Sequence, residues 1–107
     1  MSQILNRAKQ VLQIEAESIQ SLIPRLDHQF EKAVELILNC QGKLVVTGIG
    51  KSGQIARKIA STFSSTGTPA LYLHPAESSH GDLGVISDSD LIIALSYGGE
   101  TAELYLS

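Results

Sequence analysis

Between residues 43 and 66 the chain changes hydrophobic period twice, and this restricts the possible folds more than any other feature. Lys43–Thr47 is a short apolar run with β-branched residues, the pattern of a buried strand. Gly48, Gly50 and Gly53 follow almost at once. Ile55, Ala56, Ile59, Ala60 and Phe63 then recur at helical spacing, and Thr66-Gly67 supplies a stop. Pro69–Leu73 reads as a second strand, residues 74–89 as a long loop with a turn at Asp88-Ser89-Asp90, and Leu91–Leu95 as a third strand. Ser96-Tyr97-Gly98-Gly99 is another loop, and Glu100–Ser107 opens another helix. Strands alternating with helices imply a parallel sheet with right-handed crossovers. The expected class is therefore α/β, a doubly wound, Rossmann-like parallel sheet.

Two helices precede this unit. Ile4, Leu5, Ala8, Val11, Leu12, Ile19, Leu22 and Ile23 form one apolar stripe, which predicts a helix over residues 3–23 that Pro24 ends. A second helix is expected from about Pro24–Asp27 to Asn39, with Leu26, Phe30, Ala33, Val34, Ile37 and Leu38 on its apolar face. Gly42 is its expected stop. A sheet of three strands leaves one apolar face poorly covered. The expectation is thus an amino-terminal portion of a larger domain, or a chain completed by a partner.

Composition removes several classes of partner. The formal net charge of −3 and the lack of a basic face argue against nucleic acid; Lys51, Arg57 and Lys58 are too few to form one. The longest plain apolar run, Leu91–Leu95, is far too short to span a bilayer. Arg7, Lys9, Glu15 and Glu17 interrupt any signal-peptide core. The single cysteine, Cys40, lies in an apolar-periodic run and reads as a small buried hydrophobe. That usage suits a reducing, cytoplasmic setting.

Glycine-rich loops between a strand and a helix usually hold phosphate, and three kinds of phosphate compete here. A nucleotide P-loop requires a glycine five positions before Gly50-Lys51-Ser52, where this chain has Val45. Gly48, Gly50 and Gly53 formally match the dinucleotide fingerprint G-x-G-x-x-G. That fingerprint also needs an acid at the end of the second strand, where the sequence reads Leu73-His74-Pro75. A small phosphorylated ligand fits better. Lys51 adds charge, Ser52 adds a hydroxyl, and Ser96 to Thr101 forms a second hydroxyl- and glycine-rich turn into a helix. Two such loops at one sheet edge could grip one phosphate. The plainer alternative is a pair of ordinary strand-to-helix turns, in which glycine relieves strain and serine caps.

The run "STGTPALYLHPAESSHGDLG", together with "GKSG" and the serine-bearing turn after the third strand, resembles the sugar isomerase (SIS) fold, and within it the arabinose 5-phosphate isomerases of the KpsF/GutQ type. The resemblance covers nearly the whole chain. It implies interconversion of D-ribulose 5-phosphate and D-arabinose 5-phosphate for synthesis of the lipopolysaccharide sugar Kdo, in an oligomer that is typically a tetramer. It divides the chain into a helical segment, 1–42, and a partial SIS phosphosugar-binding domain, 43–107, without the CBS domains that many members carry. It places Lys51 at the catalytic lysine position and Gly50 and Ser52 in the ligand loop. Ser96 and Thr101 match phosphate-binding hydroxyls, and Glu100 matches a family acid that some members carry only at the position of Glu103. His80 matches a histidine at a site that can bind inhibitory zinc.

The sequence departs from the pattern where S-x-S-G becomes Ser96-Tyr97-Gly98-Gly99, losing one hydroxyl. A hydrogen bond to a charged group is worth about 1.5–3 kcal/mol, so phosphate affinity falls unless backbone N–H groups compensate. The family's later acid and histidine lie beyond Ser107. The isomerase chemistry needs a base within reach of a carbon-bound proton and a partner for the developing oxyanion, but no cofactor. Glu100 and Lys51 are the candidates. Their plainer readings are a first-turn acid that favours the helix dipole and a solvated loop charge. The same fold also serves regulators that sense phosphosugars without turning them over.

Overall fold

The computed structural model describes residues 2–75 and 85–96. By its internal contacts the chain divides into two units, Met1–Glu35 and Leu36–Ser107.

The first unit is helical. Helix α1 spans Ser2–Gln20 and none of its residues is buried; Ile4, Leu12 and Ile19 are each 66% exposed. The apolar stripe therefore exists but is open along its length. The helix ends three residues earlier than its periodicity suggests. Pro24 lacks an N–H and keeps Ile23 from continuing the α ladder. The chain tightens instead into a 3-10 turn over Ile23–Arg25, with Arg25 N–H donating to Leu22 O at 3.0 Å and Leu26 N–H to Ile23 O at 3.3 Å. Helix α2 spans His28–Leu38. Its start lies later than expected because Asp27 caps it, its Oδ1 accepting from Gln29 N–H at 2.9 Å.

The second unit holds the last residues of α2 and the sheet. Strand β1 (Leu44–Gly48) lies between β2 (Ala70–Tyr72) and β3 (Leu91–Leu95), and both pairings are parallel. All five residues of β1 are buried, which agrees with the continuous apolar run. Helix α3 (Lys51–Ser65) packs on one face, where Val46, Ala56 and Ala60 form the core with Ile59, Ala70, Tyr72, Ile93 and Leu95 around them. Small residues at 53, 56 and 60 on the buried side of α3 let helix and sheet approach closely. Fully burying a side chain such as Val46 contributes about 1.5–3 kcal/mol.

Helix α3 stops at Thr66-Gly67, as its sequence predicts. Gly67 has φ +100°, Thr68 N–H donates to Phe63 O at 2.8 Å, and Gly67 N–H donates to Ser64 O at 3.3 Å, which together satisfy the last carbonyls of α3. Strand β2 is shorter than Pro69–Leu73, yet Leu44 N–H donates to Pro69 O at 2.9 Å and Leu73 N–H to Val46 O at 3.0 Å, so hydrogen bonding to β1 extends beyond it at both ends. Within the span expected as a loop, Pro75 takes helical backbone and is buried, and Val85 takes 3-10 backbone; residues 76–84 lie outside the described set.

The amino-terminal edge of the sheet differs from expectation at three residues. Gly42 does not adopt the left-handed conformation of a helix stop. It is needed for space, because a Cβ there would collide with Asp90 Oδ1 and approach Ser89 O within 2.8 Å. Cys40 lies past the end of α2 and is half-buried, its thiol 3.6 Å from Ser89 O and 3.7 Å from Lys43 O. Asp90, read as a turn residue, is almost fully enclosed, its side chain 2% exposed. Its carboxylate accepts from Lys43 Nζ at 2.6 Å, from Lys43 N–H at 2.9 Å and from Ser87 N–H at 2.9 Å. It thereby staples the start of β1 to the start of β3.

The hydrogen bond from the Lys43 ammonium, followed by those from the Ser87 and Lys43 backbone N–H groups, holds the Asp90 carboxyl well below the usual carboxylate range. A carboxyl whose pKa is depressed by folding stabilises the fold above its unfolded value of about 3.9 and loses that contribution as pH falls through the folded value. Asp90→Asn should therefore melt several degrees below the parent near neutral pH, and the gap should narrow progressively below about pH 4. Thermal denaturation as a function of pH measures it; a gap constant down to about pH 2 would count against the staple.

Candidate functional site

The strand order places the chain's reversal points at one edge. After β1 the chain leaves through α3 towards β2, while β3 flanks β1 on the other side. In open α/β sheets the crevice at such a switch point, beyond the strands' carboxyl ends, is where ligands sit. Gly48 pairs with Leu95 in the β1–β3 register, so Ser96 follows directly on the residue opposite Gly48. Neighbouring strands lie about 4.8 Å apart. The register thus brings the glycine loop and Ser96 to adjoining positions on this edge.

Each glycine of the loop has its own reason. Gly50 has φ +62° and ψ −128°, backbone that side-chain-bearing residues rarely adopt, with open space where a Cβ would be. Gly48 and Gly53 are constrained by crowding. A Cβ on Gly48 would lie 2.9 Å from Ser52 C and O, and one on Gly53 would lie 2.7 Å from Gly48 O. The first turn of α3 therefore sits directly against the end of β1. No side chain caps this helix, whose N-cap is Gly50. The first N–H groups of a helix have no intrahelical acceptor and carry the positive end of its dipole, a setting that favours an anion. In α3, Gly53 N–H and Gln54 N–H donate to Ile49 O and Gly50 O at 3.3 and 3.2 Å, which leaves Lys51 and Ser52 at the extreme end.

Of the residues named from the sequence, Gly50 and Lys51 are exposed, and Ser52 and Ser96 are half-buried, all at this edge. His80, Glu100, Thr101 and Glu103 lie outside the described residues. Two residues with structural roles here were missed. Tyr72 O–H donates to Gly48 O at 3.1 Å, and the Arg57 guanidinium carbon lies 4.2 Å from the centre of the Tyr72 ring. Neither composition nor spacing signals this contact, which follows from the parallel register that pairs Tyr72 with Val46. A surface concavity of about 460 Å³, lined by Lys58, Ile59, Thr62, Phe63 and Thr66, runs along α3 and includes none of the loop residues. Among the described residues no group of three or more His, Cys, Asp or Glu side chains could hold a metal ion.

Known proteins resemble this arrangement closely. The chain is 53% identical over 96 residues to arabinose 5-phosphate isomerase KdsD of Yersinia pestis, covering 90% of this chain and 29% of that protein. It is 50% identical over 103 residues to arabinose 5-phosphate isomerase GutQ of Escherichia coli K12, covering 96% of this chain and 32% of that protein. A Bacteroides fragilis crystal structure, described as a phosphosugar isomerase involved in capsule formation, superposes with a TM-score of 0.88 at 42% identity, over 95% of this chain and 54% of that one. An Escherichia coli CFT073 protein solved in complex with arabinose 5-phosphate superposes with a TM-score of 0.89 at 39% identity, over 97% of this chain and 55% of that one. The chain thus spans about a third of the length of the curated relatives and about half of the solved ones. The SIS domain pattern matches residues 37–107, most of the sequence. The parallel sheet, the glycine loop at its switch point and this match have one conclusion: the chain belongs to the SIS domain family.

Proposed function

We propose that this chain is the amino-terminal part of an arabinose 5-phosphate isomerase, which interconverts D-ribulose 5-phosphate and D-arabinose 5-phosphate through an enediol and serves Kdo synthesis. The observation that carries the reading is the β1–β3 register, which sets Ser96 beside the Gly48–Ser52 loop at an uncapped helix N-terminus. Gly50, Ser52, Ser96 and Thr101 hold the phosphate, and Glu103 assists in binding. Lys51 meets the developing oxyanion or the phosphate, and Glu100 moves the proton between carbons 1 and 2. The distal phosphate supplies binding energy that positions the reacting carbons. His80 takes an inhibitory zinc ion.

Residues 43–107 form the phosphosugar-binding part and residues 1–42 a helical segment that joins copies of the chain. The open apolar stripe of α1 supports a homo-oligomer, a tetramer in this reading. In this reading the setting is cytoplasmic, which the single cysteine suits. In this reading the 107-residue chain alone binds sugar phosphate weakly and turns over little.

Amide chemical shifts test this. Titration of the chain with arabinose 5-phosphate should move the signals of Gly50, Lys51, Ser52 and Ser96, and NAD should move none of them. Shifts with NAD, or sugar-phosphate shifts confined to other residues, would overturn the reading. In heavy water the chain should exchange the carbon 2 proton of ribulose 5-phosphate slowly at most, and robust isomerisation would contradict the stated weakness of the isolated chain.

A further inference from the structure

The loop that enters α3 is anchored from a strand that does not belong to it. Tyr72 is the last residue of β2, and its ring packs against the α3-side core. Its hydroxyl reaches past its register partner Val46 to donate to the carbonyl of Gly48, at 3.1 Å. Gly53 leaves the room for this, since a Cβ there would stand 3.1 Å from the hydroxyl. One turn further along α3, Arg57 covers the ring at 4.2 Å. The end of β1, the end of β2 and the first two turns of α3 therefore meet at one phenol.

Gly48 is the residue from which the ligand loop departs. A peptide unit is planar and trans, so fixing the Gly48 carbonyl direction also fixes the opposite direction of the Ile49 N–H and the plane from which Gly50 turns. Gly50 has open space around it and no side chain of its own to hold the turn. The Tyr72 hydroxyl gives the loop's backbone a hydrogen bond from outside the loop, donated from the end of β2.

We infer that Tyr72 is a positioning residue for the sugar-phosphate loop: its hydroxyl sets the Gly48–Ile49 peptide plane, and Arg57 acts through the ring to hold the hydroxyl in place. The inference rests on the reading of that loop as the ligand site. Tyr72→Phe keeps the ring and its Arg57 contact and removes only the hydroxyl. Its affinity for arabinose 5-phosphate, measured by titration on the 107-residue chain, should fall about threefold to tenfold, the range of one neutral hydrogen bond. Amide hydrogen exchange should accelerate at residues 49–53 and stay unchanged at Leu44–Val46. Arg57→Gln should produce a smaller acceleration at residues 49–53 in the parent and none in the Tyr72→Phe background, because both act through one hydroxyl. A ring that only packs would give loop exchange unaffected by Tyr72→Phe.

Parent affinity retained in Tyr72→Phe, or unchanged exchange at residues 49–53, overturns the inference. If the parent chain fails to bind arabinose 5-phosphate, the proposed function falls. The exchange data still decide the anchor: faster loop exchange upholds it and unchanged exchange removes it.

Discussion

Replacing Gly53 by alanine lowers the melting temperature by about 10 °C. Helix propensity alone predicts the opposite, since alanine is better than glycine inside a helix by about 1 kcal/mol. The surroundings reverse the sign. The new Cβ would lie 2.7 Å from the Gly48 carbonyl oxygen and 3.1 Å from the Tyr72 hydroxyl. The nearer atom belongs to the buried central strand, so it cannot swing aside as a flexible side chain would. Overpacking of this kind costs about 1–3 kcal/mol. The Tyr72–Gly48 hydrogen bond occupies the same space, and its loss adds about 0.5–1.5 kcal/mol. The net cost of about 2 kcal/mol corresponds to the stated shift at roughly 4–8 °C per kcal/mol for a domain of this size. Differential scanning calorimetry measures it. An unchanged or raised melting temperature would mean that α3 stands further from β1 than described.

Removing the charge of Lys51 should act on binding and leave folding intact. In Lys51→Ala, affinity for arabinose 5-phosphate falls about tenfold to a hundredfold, the effect of losing a hydrogen bond to a charged group. The melting temperature stays level or rises slightly. Lys51 is exposed and is the first residue of α3. A cation at a helix N-terminus faces the positive end of the dipole, so it costs stability, by about 0.3–1 kcal/mol, when no anion is bound. Stability therefore gives no reason for a lysine there, whereas an anionic ligand does. Titration calorimetry alongside thermal melts separates the two effects. Unchanged affinity would place Lys51 away from the ligand, and a large drop in stability would give it a structural role instead.

Gly53 and Lys51 are two positions apart, and the loop around them illustrates how far the sequence alone reaches. The glycine spacing was visible, but the reasons behind it were not. Gly50 is required by its backbone angles, whereas Gly53 is required by the oxygen of a residue on another element. Asp90 shows the same divide. Its place in a turn follows from Asp88-Ser89-Asp90, yet its carboxylate is spent on Lys43, 47 residues earlier in the chain. By sequence, Ser96 opens a second hydroxyl- and glycine-rich turn like the first, and the parallel register of β1 with β3 makes Ser96 a neighbour of the glycine loop. Glu100, Thr101, Glu103 and His80 stand only on the resemblance, being outside the described residues.

What contiguous residues determined was the type and order of the elements: a buried strand from its apolar run, a helix from its period, an α3 stop at Gly67, and a break in the helical run at Pro24. These depend on backbone sterics and hydrogen bonds that close within about one helical turn, so neighbouring residues suffice to specify them. Tertiary structure alone decided the strand order β2-β1-β3, the burial of Asp90 and the reach of Tyr72 to Gly48. Each of these joins groups from different elements, and which groups meet depends on how the sheet pairs and how closely α3 lies upon it.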